Sequence, residues 1–410
     1  MRWLKDQDIK DFLSQHNYDI RKTGNARWID QKCAADVVTI VSDCIVQYAE
    51  HNPDTEYFTS MDIWRDEYTI ENVEAIFKKP NPGEEMARNE YDKFFQQPME
   101  MLAYAGVIRK DKRGGRNFYA IANRDVLEYI SIREPNALKF LQLYISKVLS
   151  DSGIKYLFDD FFDKQSKIAY EEMKDGFSNF TIANTKINGV VECNRIFIKV
   201  LNPLAFQNNK RGTERGRLSK YKITYDMLMY NRNNFRDIYA DKPKGLTRRQ
   251  YAVQIGHDLM PQLSTYLSQK AKRLMRSFND SFRDGKTEVF DERHIADLAT
   301  HIHHIFPEAD YPAICAYLEN LIALTPTQHL NFAHPNGNTR KIDPAYQQIC
   351  LIAKAETIKE TIADENREQI YDFSNFMYVL FVGLENEAFL EIEDGDFDDA
   401  VSAINLAYAR

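Results

Sequence analysis

The stretch "DLATHIHHIFPEADYPAICAYLENLIALTPTQHLNFAHPNGNT", residues 297–339, decides how this chain is read. It carries His301, His303, His304, His329 and His334, five of the nine histidines in the sequence. "LATHIHHIF" has the composition of a strand and stops at Pro307. Neighbouring side chains of a strand point to opposite faces, so His301 and His303 share one face and His304 takes the other. "NLIAL" (320–324) is a second short β-like run. Thr325 then opens a helix as its N-cap, with Pro326 at the first helical position and Gln328 three residues after the cap, a capping box. His329 falls in the first turns of that helix, and Pro335 disfavours helix at His334. The order is strand, connection, strand, helix. Metal-assisted hydrolysis needs groups that hold an ion and a separate group that takes a proton from water. This segment offers imidazoles from two elements and one more beside them.

The order "HHIFP", then Asn320 in "ENLIAL", then "TPTQH" resembles the HNH, or ββα-metal, nuclease motif. The resemblance implies His303 as a metal ligand, His304 as general base, Asn320 as the residue holding the base-bearing loop, and His329 as a ligand on the helix. Some members of the family add a third histidine one helical turn later. That place is Ala333 here, and His334, one residue further on, is the candidate. His301 takes no role in this assignment, and Glu308, Asp310 and Asp343 read as solvated loop acids. The cysteine pairs that brace some members are absent. The expected ion is Mg²⁺, with Mn²⁺ and Zn²⁺ as alternatives because imidazole is a softer ligand than carboxylate. The resemblance further implies hydrolysis of phosphodiester bonds to 5′-phosphate and 3′-hydroxyl ends.

Upstream, "AADVVTIVSDCIVQYAE" (34–50) has apolar residues at helical spacing. "TSMDIW" (59–64) begins with a capping residue, and "TIENVEAIF" (69–77) reads as a short helix. The stretch 83–106 is a longer helix with a glycine stop at Gly106. "GVIRKDKRGGRNFYAIA" (106–122) reads as strand, Gly-Gly turn, strand. Helices followed by a ribbon with a basic tip resemble a winged-helix domain over residues 34–134. In such a domain the tip residues Arg109, Lys110, Lys112, Arg113 and Arg116 would touch phosphates. Residues 135–180 read as helical, 180–207 ("FTIANTKIN", "NRIFIKVLNPLAF") as β-like, and 251–284 as helical again.

Charge is unevenly distributed. The net charge is −8, yet residues 205–250 hold twelve Lys and Arg against four acids, whereas 341–410 hold five against fifteen. The basic segment, with Lys210, Arg211, Arg215, Arg217, Lys220, Arg232 and Arg236, is suited to following a phosphate backbone.

The expected architecture is α+β, multidomain and mostly helical. It comprises an N-terminal arm (1–33), the winged-helix-like domain (34–134), a mixed helical and β middle region (135–285), the HNH unit (286–345) and an acidic helical C-terminal region (346–410). Hydrophobic content of 44% argues for a folded chain. The absence of a long apolar run argues against a membrane span. With no apolar leader at its start and five scattered cysteines, the chain is expected in the cytoplasm with reduced thiols. The function expected is a sequence-specific double-stranded DNA endonuclease resembling type II restriction enzymes. Its partner would be double-stranded DNA, with a homodimer suited to a palindromic site. A DNA methyltransferase of the same specificity is expected in the same system, not as a bound partner. The alternatives are a winged-helix regulator with a structural zinc site, and a less specific or modification-dependent HNH nuclease.

Overall fold

The computed structural model describes residues 4–77, 87–230, 266–290, 298–311, 314–334, 342–364 and 369–409. Among these the chain is mostly helical, with three small two-stranded antiparallel sheets. It divides into two compact units, Leu4–Val253, and Gln254–Arg410 together with Met1–Trp3. That division falls inside the segment 135–285, which the sequence suggested was one region.

The first unit is organised around α3 (Ala35–His51), buried continuously from Ala35 to Val46. A helix buried on every side over three turns forms the core of its unit. Its two acids there are satisfied: Asp36 accepts from the Tyr230 backbone at 2.9 Å, and Asp43 accepts from the Tyr68 hydroxyl at 2.6 Å. The expected arm, 1–33, contributes α1 (Asp6–Ser14) and α2 (Ile20–Thr23). It is not peripheral, since Ile9, Phe12, Leu13 and Trp28 are buried.

After α4 (Ser60–Trp64), capped by Thr59, α5 (Glu67–Phe77) and α6 (Ala87–Tyr104), the chain forms a hairpin. Its strands are β1 (Ile108–Arg113) and β2 (Arg116–Ile121), in register from Ile108↔Ile121 to Arg113↔Arg116. Gly114 and Gly115 both have positive φ, 55° and 82°, as a two-residue turn joining right-twisted strands requires. An antiparallel bridge from Phe58 to Tyr119 adds a single pairing on the other side of β2.

Helices α7 (Arg124–Ile132), α8 (Glu134–Asp151), α9 (Lys155–Lys164), α10 (Lys167–Asn184) and α11 (Val190–Gln207) follow. The β-like reading of 180–207 is therefore corrected. Cys193, Ile196, Phe197, Val200, Leu201 and Leu204 are buried, a spacing of three and four that outweighs the β-branched composition. A second hairpin, β3 (Arg211–Glu214) and β4 (Arg217–Lys222), closes the unit.

In the second unit, a helix over residues 266–282, α12, packs Phe278 edge-on against Tyr371. This contact, with the Tyr371 hydroxyl donating to Met275, ties 266–282 to the C-terminal part of the chain. Strands β5 (His301–His304) and β6 (Leu321–Leu324) pair antiparallel, His301↔Leu324 through His304↔Leu321. β6 is buried along its whole length; each of its larger side chains contributes roughly 1.5–3 kcal/mol by leaving water. A π-helical turn, Gln328–Ala333, follows. Then come α13 (Pro344–Ala363), α14 (Phe373–Leu384) and α15 (Phe397–Tyr408).

One buried ion pair fastens the sheet to α13. Lys354 Nζ lies 2.7 Å from Glu288, both side chains fully buried, and Glu288 Oε1 accepts from the backbone of Ala323 in β6 at 2.8 Å. Removing one partner of such a pair leaves a charge uncompensated. Glu288→Ala should therefore lower stability by about 3–5 kcal/mol in urea unfolding, and Glu288→Met with Lys354→Met should recover much of the loss. A single variant as stable as the parent would remove the pair from this role.

Candidate metal centre

β5 and the π turn bring three imidazoles together. The candidate ligand atoms of His303, His329 and His334 all lie within 4.8 Å of one another. Their rings meet edge to face, with centroids 4.9 Å apart for His303 and His329, 5.0 Å for His303 and His334, and 4.8 Å for His329 and His334. The π turn explains how His334 joins despite its spacing. The His334 N–H donates to the His329 carbonyl at 3.2 Å, a bond across five residues rather than four, so residues five apart fall one above the other. The expected capping box is present ahead of this turn: Gln328 N–H donates to Thr325 Oγ1 at 3.2 Å, and Thr325 N–H donates to Gln328 Oε1 at 3.0 Å. Gln328 also donates to the Val289 carbonyl at 3.1 Å, so the start of the turn is tied to the chain beside β6.

The donors suit a metal ion. Burial, with His329 and His334 beside it, holds the His303 imidazole down to about 2. Burial, then His334 and His301, brings His329 to about 4. Both rings are neutral near pH 7 and keep a lone pair for coordination. Three convergent imidazoles in a mostly buried cluster could hold a divalent cation, and the donors alone do not name it.

His304 leaves the cluster, as strand alternation dictates. Its Nε2 lies 3.0 Å from the Cys315 carbonyl and 3.3 Å from Ser268 Oγ. A carbonyl only accepts, so Nε2 carries the proton and Nδ1 keeps the lone pair. Ser268 meanwhile donates to Glu308 at 2.9 Å. Burial, with the Lys272 charge nearby, brings His304 down to about 4, so it too is neutral near pH 7.

Asn320 sits in the turn before β6 and is fully buried. Its Oδ1 accepts from Phe306 N–H at 2.9 Å, and its Nδ2 donates to the carbonyls of Phe306 at 3.0 Å and Ile314 at 3.3 Å. The chain leaving β5 is thereby held to the chain entering β6.

Several residues near the cluster carry no signal in the sequence. His301, given no role there, has its Nδ1 2.9 Å from His329 Nδ1. Glu308 is the partner of Ser268 beside the base candidate, not a solvated loop acid. Lys272 on α12 contributes positive potential at His303, His304 and His329. Gln347 on α13 donates to the Ile305 carbonyl at 2.7 Å. Asp343 caps α13 by accepting from Tyr346 N–H at 2.9 Å.

The basic candidates lie in the first unit. On β1–β2, Arg109 pairs with Glu56 at 3.0 Å and Lys110 with Glu100 at 2.6 Å. Arg113 lies 4.0 Å over the Tyr57 ring. Lys112 and Arg116 are exposed at the tip. On β3–β4, Arg215, Arg217 and Lys220 are exposed and Lys210 is half-buried. The Arg211 guanidinium is turned inward to donate to the Gln165 carbonyl, while the Arg211 backbone N–H donates to Gln165 Oε1 at 2.8 Å. Arg232 and Arg236 lie outside the described residues. All five cysteines are free and buried, and among the described residues no helix is long and apolar enough to cross a membrane. Comparison with protein-family models, curated proteins and solved structures yields no match to this chain.

The lowered imidazoles make a stability prediction. A group whose folded value lies below its ordinary 6.5 binds protons more readily when unfolded. The metal-free protein should keep this contribution above about pH 6.5 and lose it progressively towards pH 4. His329→Asn should flatten that part of the Tm–pH curve. Equal slopes for parent and variant would contradict a lowered, neutral His329.

Proposed function

We propose that the chain is a metal-dependent endonuclease of the HNH type acting on double-stranded DNA. The observation that carries this reading is the division of labour between adjacent side chains. His303 belongs to a three-imidazole cluster. His304 turns away from it with Nε2 held by the Cys315 carbonyl and Nδ1 without a hydrogen-bond partner among the described residues.

In this reading His303, His329 and His334 would hold a divalent ion. The nitrogen-only set is better suited to Zn²⁺, Ni²⁺, Co²⁺ or Mn²⁺ than to Mg²⁺, which prefers oxygen ligands and retained water. A bound ion would supply charge stabilisation to the phosphate undergoing attack. His304 takes the proton of the attacking water on Nδ1. The Cys315 carbonyl stabilises the resulting imidazolium through Nε2–H, and Asn320 keeps the loop that bears it in place. Lys272 is placed to favour an anionic substrate near the cluster. The products would carry 5′-phosphate and 3′-hydroxyl ends.

DNA binding would fall to the first unit. The helices α3 to α6, the β1–β2 hairpin and the Phe58–Tyr119 bridge support a winged-helix reading of 34–134. Lys112 and Arg116 at its tip, with Arg215, Arg217 and Lys220 on the second hairpin, supply cations for phosphates. A type II restriction role, with a two-fold dimer on a palindromic site, remains the working function.

Two measurements test the proposal. His304→Ala should slow cleavage of plasmid DNA in Mn²⁺ by about 10²–10⁴-fold while Zn²⁺ affinity and DNA binding hold. Parallel loss of binding would remove His304 as the base. DNA affinity should fall steeply, roughly 10³-fold or more between 50 and 200 mM salt if six or more phosphates are contacted, and Lys220→Gln should reduce the slope. Discrete bands identify a site-specific enzyme and smears a less specific one. No cleavage with one tightly held zinc per chain would favour the regulator.

A further inference from the structure

His301 and His329 face each other through the same atom, Nδ1 to Nδ1, at 2.9 Å, with their rings nearly perpendicular at 74°. Two such nitrogens can share a hydrogen bond only if one is protonated and the other is not. His329 also belongs to the three-imidazole cluster. With Nδ1 engaged by His301, its remaining nitrogen for an ion is Nε2. A neutral ring presents a lone pair on Nε2 only when its single proton is on Nδ1. The direction of the bond follows: His329 donates and His301 accepts.

We propose that His301 is a positioning residue for the metal centre, its Nδ1 lone pair fixing the tautomer and ring orientation of His329 so that Nε2 is presented to a divalent transition-metal ion. The inference rests on reading His303, His329 and His334 as that centre. Metal-binding histidines as a class donate their second ring N–H to an acceptor that sets ring orientation and basicity. Here the acceptor is another imidazole, delivered by the strand that carries His303. His301 lies two residues before His303, on the same face of β5, and its register partner is Leu324, the last residue of β6. β5 thus supplies one ligand outright and orients a second that stands on a different element.

The test uses the full-length protein, Co²⁺ as probe, and visible absorption as readout, with metal-free Tm measured alongside. His301→Ala should weaken Co²⁺ binding about 10-fold or more without lowering metal-free Tm. His301→Asn, whose Oδ1 can stand near the place of Nδ1 and accept the same bond, should restore affinity and give the parent's absorption bands. Undiminished Co²⁺ affinity in His301→Ala would overturn the inference and leave the centre standing. An Asn variant as weak as Ala, with altered bands, would make His301 a ligand itself and overturn the positioning role. A parent that binds no Co²⁺ would overturn the centre, and the role of His301 with it.

Discussion

The geometry of the second unit depends on one side-chain amide. Asn320 is fully buried and closes the excursion between β5 and β6 by bonding both backbone groups of Phe306 and the carbonyl of Ile314. Those groups have no water to turn to, and an unmet buried polar group costs about 1–3 kcal/mol. The clamp fixes where the chain leaves β5 and where it passes Ile314, and Cys315 is the next residue. The carbonyl that holds His304 is therefore placed by Asn320 without touching it. Fixing the tautomer of one imidazole and closing one loop are the same event.

How much of this was legible in the sequence varied with the kind of signal. The hairpin turn at Gly114 and Gly115, the caps at Thr59 and Thr325, and the opposite facing of His303 and His304 are local, and local chemistry sets them. The helix α11 was misread because β-branched residues drew attention from a buried face spaced by threes and fours. The place of His334 could not be read from α-helical spacing, because the turn after Gln328 is wound five residues to the bond. The partners of His304 were hidden for a different reason. Cys315 acts through a backbone carbonyl, which has no letter in a sequence, and Ser268, Lys272 and Glu308 arrive from other elements. His301 has no place in the motif, and its distance of 2.9 Å from His329 is set by the fold.

The two hairpins of the first unit show that a count of cations overstates a binding surface. Of the basic residues at the first tip, Arg109 and Lys110 are paired with Glu56 and Glu100. Arg113 rests on Tyr57 and pairs with Asp111 at 3.4 Å. Arg211 on the second hairpin serves its neighbour Gln165. What remains outward is a smaller set, Lys112 and Arg116 on one ribbon and Arg215, Arg217 and Lys220 on the other.

The acidic C-terminal helices are the other half of the histidine site's support. Tyr408, at the end of α15, donates to Gln347 at 2.8 Å, and Gln347 in turn donates to the Ile305 carbonyl. Gly383 on α14 leaves room for the Phe306 ring, which a Cβ would approach to 2.4 Å. Glu288 and Lys354 secure β6 from behind. The residues 301–334 are thus not a portable cassette. Grafted into another scaffold they would bring the imidazoles without the buttress that gives them direction. A shortened chain ending before α15 would strip support from a loop almost a hundred residues upstream. The structural unit that orients these imidazoles is larger than the segment that carries them.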